Sequence, residues 1–114
     1  MRTIVRTDLE SLIAAGAVTV VEALPEKYYR TAHLPGAKHM PHDETAALAP
    51  GILPDRAAGI VVYCASATCT NSHIAAETLA GLGYTDVRVY VDGKQDWIDA
   101  GLPVETGDAA SRAA

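Results

Sequence analysis

Cys64 and Cys69 are the two cysteines of this 114-residue chain. In a reducing compartment, such a close pair indicates redox chemistry, nucleophilic catalysis or metal binding before it indicates a structural staple. Cys64 ends an apolar run, IVVYC, and is followed by the small and polar residues ASATCTN. A loop of this kind that leads into a helix directs backbone N–H groups at one point, where they lower the pKa of a thiol. Cys64 is therefore a candidate nucleophile.

The cysteines also admit simpler interpretations. Cys64 fits a buried residue at the end of a strand, because free cysteine is among the most buried residue types. Zinc binding would need further ligands, of which His39, His42 and His73 are candidates. Their spacing matches no standard zinc site, so we predict no metal.

Short helical and extended segments alternate along the chain. Apolar spacing and Gly or Pro punctuation predict helices over 8–15, 25–29, 43–48, 74–82 and 94–100, and strands over 17–22, 38–40, 59–64 and 86–91. A capping box of Thr7 and Glu10 is expected to start the first helix, and Pro50, Gly51 and Pro54 to form a loop. This alternation predicts an α/β domain with a mostly parallel central sheet of about five strands, centred on 59–64 and covered on both faces.

Composition and charge exclude several classes of function. The chain has 9 basic and 14 acidic side chains, a net charge of −5 and no basic cluster, so we predict no binding to nucleic acid or to an anionic membrane. No apolar run is long enough to cross a bilayer, and no signal-like segment follows Met1, so a cytoplasmic location is expected. One domain is predicted over 1–106, with a flexible tail over 107–114.

Several spaced motifs resemble those of the rhodanese-like (sulfurtransferase) domain family. In the N-terminal half, His33-Leu34-Pro35-Gly36-Ala37 is similar to the family's H-I-P-G-A signature. The C-terminal half adds Tyr63-Cys64, the segment 72–79, Gly83-Tyr84, Gly93, Trp97 and the segment 100–105. The resemblance covers nearly all of the chain from Thr7 to Glu105.

The resemblance implies a single three-layer α/β/α domain and a sulfurtransferase activity. Cys64 matches the family cysteine that takes up a sulfane sulfur from a donor such as thiosulfate and passes it, as a persulfide, to a thiol or cyanide. The implied partners are a small-molecule sulfur donor and a thiol acceptor, which could be a protein thiol, and no cofactor is needed; the oligomeric state stays open. The substrate-binding candidates are the loop residues Ala65, Ser66, Ala67, Thr68, Thr70, Asn71 and Ser72.

This sequence departs from the family pattern in its loop. The family's common loop reaches the serine six residues after the cysteine, with an arginine before it, whereas Ser72 lies eight positions after Cys64 and no arginine intervenes. A bound dianion would then depend on backbone amides and on the hydroxyl and amide groups of the loop. The missing arginine also disfavours the phosphatases that share this architecture, because phosphoryl transfer needs a cationic clamp.

Further departures concern a buried ion pair and the second cysteine. Glu22-Ala23-Leu24 replaces an Asp-x-Arg strand end, which is expected to remove a structural ion pair, and Asp92, Lys94 and Asp96 are expected to form a solvated helix start. Cys69 is a candidate resolving or redox cysteine, because it could attack a Cys64 persulfide and release hydrogen sulfide. It is equally a small thiol without a role. The alternative function is a non-catalytic binding or redox-sensing module that uses Cys64 and Cys69.

Overall fold

The computed structural model describes residues 2–107, in which short strands and helices alternate. The order is β1 (Arg2–Ile4), α1 (Arg6–Ala14), β2 (Thr19–Glu22), α2 (Glu26–Thr31), β3 (Lys38–His39), a 3-10 turn (His42–Glu44), α3 (Thr45–Ile52), β4 (Ile60–Tyr63), α4 (Asn71–Gly81), β5 (Val87–Tyr90) and α5 (Gly93–Asp99). Most of the predicted tail, 108–114, lies outside the described residues. No helix among residues 2–107 has both the length and the apolar character needed to span a bilayer.

The strands form one five-stranded sheet in the order β1-β5-β4-β2-β3, and every pairing is parallel. The strand β4 therefore lies at the centre, as its apolar run predicts. Its partners are β2, with Glu22 opposite Tyr63, and β5, with Tyr90 opposite Tyr63. Because parallel strands place their carboxyl ends at one edge, the residues that follow β2, β3, β4 and β5 share that edge.

The two faces of the sheet bury separate hydrophobic clusters, which confirms the three-layer prediction. Ile60 and Val62 of β4 face a cluster that includes residues of α3 and α4. Val61 and Tyr63 face the opposite cluster, which includes Leu9 of α1, Tyr29 of α2 and Trp97 of α5. The alternation follows from the two-residue period of a strand, so a strand covered on both faces is apolar throughout.

The structure corrects three sequence-based expectations about the elements. The strand β1 was not predicted, because three residues at a sheet edge carry too short a pattern. The helix α1 begins at Arg6 after Val5, without a side-chain cap, so the predicted Thr7–Glu10 capping box is wrong. Pro50 and Gly51 lie within α3 rather than in a loop. Proline lacks only its own backbone N–H, and the helix continues past it, since the Leu53 N–H donates to the Ala49 carbonyl at 2.7 Å.

Candidate functional site

Cys64 is the first residue after the central strand β4, at the carboxyl edge of the sheet. Its side chain is 1% exposed. The Sγ atom lies 3.4 Å from Oγ of Ser72, a buried residue in the first turn of α4. The strand thus delivers the sulfur to the N-terminal end of an 11-residue helix, where the helix dipole favours a negative charge.

Cys64 is joined to Cys69 in a disulfide, with the two Cα atoms 6.3 Å apart. The loop returns towards its start, because the Cys69 N–H donates to the Ser66 carbonyl at 3.1 Å. The Cys69 carbonyl oxygen also lies 3.4 Å from Cys64 Sγ. A five-residue separation along the chain therefore becomes direct contact between the sulfur atoms, and the site as it stands is the oxidised form.

The other predicted loop residues surround this pair with differing exposure. Ala67, Thr68 and Thr70 are exposed, whereas Ala65, Ser66 and Asn71 are half-buried. The Ser66 and Thr68 hydroxyls lie within hydrogen-bond distance of each other at 3.1 Å. The loop therefore presents small polar groups to solvent above a buried sulfur.

The start of α5 packs directly against the Cys64 loop, a contact that sequence reasoning missed. The Lys94 N–H donates to the Cys64 carbonyl and the Gln95 N–H to the Ala65 carbonyl, both at 2.9 Å. A Cβ atom at Gly93 would lie 2.8 Å from both the Cys64 carbonyl oxygen and the Ser66 nitrogen. With φ of +74°, residue 93 needs glycine for its conformation as well as for this close approach.

Lys94 and Glu22 form a buried ion pair, which overturns two expectations. Lys94 Nζ lies 3.0 Å from Glu22 Oε1, with the two side chains 11% and 0% exposed. The strand end Glu22-Ala23-Leu24 therefore makes an ion pair after all, with Lys94 as its partner. Lys94 is accordingly not part of a solvated helix start. Asp96 is not simply solvated either, since it accepts hydrogen bonds from Arg6 and Tyr90. The sequence signal was available: a charged residue at the end of the buried run VTVVE requires a partner.

Burial is the largest influence on the pKa of this carboxyl group. It raises the pKa of Glu22 above the ordinary value, and the attraction of Lys94 and the hydrogen bond from Tyr63 only partly oppose that effect. Burial and the neighbouring Glu22 also raise the pKa of the Tyr63 hydroxyl well above its ordinary value.

His33, His39 and Arg30 make structural contacts. His33 is fully buried, with Nδ1 2.7 Å from the Tyr29 carbonyl oxygen. His39 Nε2 lies 2.7 Å from the Leu24 carbonyl oxygen. Arg30 Nε pairs with Glu26 at 3.1 Å. Among the described residues, no group of three or more His, Cys, Asp or Glu side chains is arranged to hold a metal ion.

Comparison with solved structures finds the same fold in several proteins. The thiosulfate sulfurtransferase of Pseudomonas aeruginosa superposes with a TM-score of 0.82 at 24% identity, over 95% of this chain and 21% of that one. Human single-domain sulfurtransferase TSTD1 gives a TM-score of 0.76 at 22% identity, over 87% and 96% of the two chains. A rhodanese-related protein of Thermoplasma volcanium gives 0.74 at 28% identity, over 92% and 98%.

A curated relative shows that similar domains occur within larger proteins. The HTH-type transcriptional regulator Rv0324 of Mycobacterium tuberculosis is 36% identical over 104 residues, which are 91% of this chain and 45% of that protein. This chain thus spans about half the length of the regulator. The family model for the rhodanese-like domain matches residues 5–100. With the parallel five-stranded sheet and a cysteine directly after its central strand, the chain belongs to the rhodanese-like domain family.

Proposed function

We propose that this domain is a sulfurtransferase that carries a sulfane sulfur as a persulfide on Cys64. The observation that carries the proposal is the place of Cys64, directly after the central strand with its sulfur facing the first turn of α4. The N-terminus of α4 and the Ser72 hydroxyl favour the thiolate over the thiol, and the thiolate is the nucleophilic form. A reducing compartment such as the cytoplasm would keep it available.

The reaction requires two displacements at sulfur. The Cys64 thiolate attacks the sulfane sulfur of a donor such as thiosulfate, the donor's S–S bond breaks, and sulfite leaves with the bonding electron pair. An acceptor thiolate or cyanide then attacks the outer sulfur of the persulfide, and the Cys64 thiolate leaves. Atoms and electrons balance without a cofactor. The disulfide form lacks the free thiolate, so reduction of the Cys64–Cys69 bond must precede the first displacement.

The uncharged loop bears on the choice of donor. Thiosulfate carries two negative charges, and the segment 65–72 contains no cationic side chain to bind them. Backbone amides, the hydroxyl groups of Ser66, Thr68 and Thr70 and the side-chain amide of Asn71 are the groups proposed for this task. We therefore expect thiosulfate to bind more weakly than a less highly charged sulfane donor such as a polysulfide.

Intact-mass spectrometry tests the proposal directly. The protein is reduced, freed of reductant and incubated with thiosulfate, a polysulfide or mercaptopyruvate, and the adduct is located by peptide mapping. We expect a gain of one sulfur, about 32 Da, on Cys64. Cys64→Ser should lose the adduct and all sulfur transfer, whereas the matched variant Cys69→Ser should retain them. Full activity in Cys64→Ser would refute the proposal.

A second candidate function, a redox-sensing module, is favoured by the Cys64–Cys69 disulfide. In the reduced protein, the Cys69 thiolate could attack the inner sulfur of a Cys64 persulfide, displace hydrosulfide and form this disulfide. A dithiol reductant would then restore both thiols. A similar domain lies in a protein named as a transcriptional regulator, a context in which a reversible disulfide can act as a signal.

Thiol acidity and product analysis distinguish the two candidates. A sulfurtransferase requires an acidic Cys64 and a persulfide that persists until an acceptor arrives. A redox module instead predicts that every donor yields only the disulfide, with stoichiometric release of hydrogen sulfide. Iodoacetamide reaction profiles in which both thiols show an ordinary pKa of about 8.5 would favour inert binding instead.

A further inference from the structure

The Lys94 side chain crosses from α5 to the carboxyl edge of β2 and the end of α2. Its ammonium group donates three hydrogen bonds, to Glu22 Oε1 at 3.0 Å, to the Tyr28 carbonyl at 2.9 Å and to the Ala32 carbonyl at 2.7 Å. A lysine ammonium has three N–H donors, so each has an acceptor. The two carbonyl acceptors lie in the last turn of α2 and at its C-cap, where the helix dipole favours a cation.

Glu22 is fixed from a second direction by the central strand. The Tyr63 hydroxyl donates to Glu22 Oε1 at 2.8 Å and accepts a hydrogen bond from the Leu34 N–H at 3.1 Å. Tyr63 directly precedes Cys64 in the chain. The acceptor of the Lys94 ammonium is thus held by the residue next to the candidate nucleophile.

The backbone of Lys94 contacts the nucleophile loop itself. Its N–H donates to the Cys64 carbonyl, and the next N–H, of Gln95, donates to the Ala65 carbonyl. Lys94 and Gln95 therefore join the first two peptide groups of the loop to α5. The Lys94 side chain extends this connection to α2 and to β2, where Glu22 lies 72 positions away in the chain.

From these contacts we infer that Lys94, anchored by Glu22, is a positioning residue that holds the start of the Cys64 loop in its reactive geometry. The inference rests on the proposed function only where it predicts sulfur-transfer rates. Buried ion pairs are often replaceable by apolar residues without loss of stability, so stability alone does not account for this pair. Orientation of the loop does, because a shift of about 1 Å at a reacting group can slow a reaction by up to about a hundredfold.

The test uses a Cys69→Ser background, in which Cys64 is the only thiol, and follows its alkylation by iodoacetamide against pH. Lys94→Met should slow alkylation at pH 7 by about tenfold and shift the profile of alkylation rate against pH to higher pH. It should also lower kcat for sulfur transfer more than it changes KM. Glu22→Gln should change the rate by less than about threefold, because the amide oxygen and both carbonyl groups can still accept from Lys94. The control is Lys38→Met, which removes an exposed lysine of β3.

An unchanged alkylation profile in a folded Lys94→Met variant, with only a lower unfolding temperature, would overturn the inference. If Lys94→Met does not fold, the double variant Glu22→Gln/Lys94→Met leaves no unpaired charge and is measured instead. Hydrogen exchange in the parent protein needs no variant. The amides of Lys94 and Gln95 should exchange as slowly as that of Ala23, which donates to the Tyr63 carbonyl, and much faster exchange would also contradict the inference.

The alkylation and exchange readouts keep this inference separate from the proposed function. If the parent protein forms no persulfide with any donor, the sulfurtransferase proposal fails while the thiol-reactivity test stands. If persulfide forms and Lys94→Met reacts like the control, the positioning role fails and the sulfurtransferase proposal stands.

Discussion

The reactivity of Cys64 depends on single groups that face its sulfur. The Ser72 hydroxyl, 3.4 Å from Sγ, can donate to the thiolate once the disulfide is reduced. Ser72 is also buried, so water cannot readily replace this donor. A hydrogen bond to the charged form of an acid lowers its pKa.

Ser72→Ala is therefore expected to slow the reaction of the reduced Cys64 with electrophiles, because the thiolate loses a hydrogen-bond donor. Loss of about 1 kcal/mol of hydrogen-bond energy corresponds to alkylation about fivefold slower at pH 7. The measurement is the iodoacetamide rate against pH in the reduced Cys69→Ser background. Thr78→Ala is a matched control, because its hydroxyl donates to the Ile74 carbonyl on the same helix. Equal rates in both variants would contradict the prediction.

Two tyrosine hydroxyls should stay protonated far into the alkaline range. Burial raises the pKa of Tyr63 and of Tyr90, and the hydrogen bond from Tyr90 to Asp96 reinforces the shift. Tyr63→Phe and Tyr90→Phe should therefore leave the native-state absorbance change near 295 nm between pH 8 and 11 unaltered. A smaller amplitude in either folded variant would show that the substituted hydroxyl titrates in this range.

At the scale of elements, the contact between α5 and the loop after β4 determines the geometry of the site. The close approach depends on Gly93, whose missing Cβ leaves room for the backbone at Cys64 and Ser66. The rest of α5 is held by Trp97, whose indole N–H donates to the Pro103 carbonyl at 2.8 Å. A side chain at position 93 must therefore displace the loop or the start of α5.

Gly93→Ala and Gly101→Ala separate conformational strain from this close contact. Both glycines have φ near +75°, but a Cβ at Gly101 would meet no atom within 4 Å. Gly101→Ala should lower the free energy of unfolding by about 1–2 kcal/mol, from backbone strain alone. Gly93→Ala should lower the free energy of unfolding by about 1–3 kcal/mol more than Gly101→Ala does, and it should also slow Cys64 alkylation. Urea unfolding measures the stability of both variants. Equal losses of stability would show that the loop accommodates the methyl group.

At the scale of the whole molecule, the buried charges link stability to pH. Glu22 is fully buried on the sheet face that packs against α2 and α5, and its Oε2 has no hydrogen-bond partner among residues 2–107. Because its pKa is raised in the folded state, the folded protein keeps a proton that the unfolded chain releases above about pH 4.5. Stability from this group is thus fully present below that pH and is lost as pH rises through the folded-state pKa.

Glu22→Gln should remove this pH dependence, because glutamine does not titrate. The free energy of unfolding of the parent protein, minus that of Glu22→Gln, is expected to fall as pH rises above about 4.5 and then to level off. Urea unfolding at closely spaced pH values measures the difference. A difference that is constant or rises with pH would contradict the raised pKa.

The sequence by itself determined the order of the helices and strands from α1 onward, the central position of β4 and the place of Cys64 after it. Those features follow from local patterns, since apolar runs, helical spacing and glycine or proline punctuation are read within a few residues. The same local signal failed for the three-residue β1 and for the helical position of Pro50. The conformation of neither short segment follows from its own residues. The first is a strand because it pairs with β5, and Pro50 is helical because the hydrogen bond from Leu53 to Ala49 continues the helix around it.

Only the tertiary structure decided which distant groups meet. Lys94 looked like part of a solvated helix start, and Glu22 like the remnant of a lost ion pair, yet the fold brings them to 3.0 Å across 72 positions of chain. Gly93 likewise follows β5, and the Cys64 loop follows β4, so their contact depends on these two strands being neighbours in the sheet. The physical reason is that a local pattern records how much apolar surface a segment must bury, whereas the partner of a buried charge depends on how the layers pack.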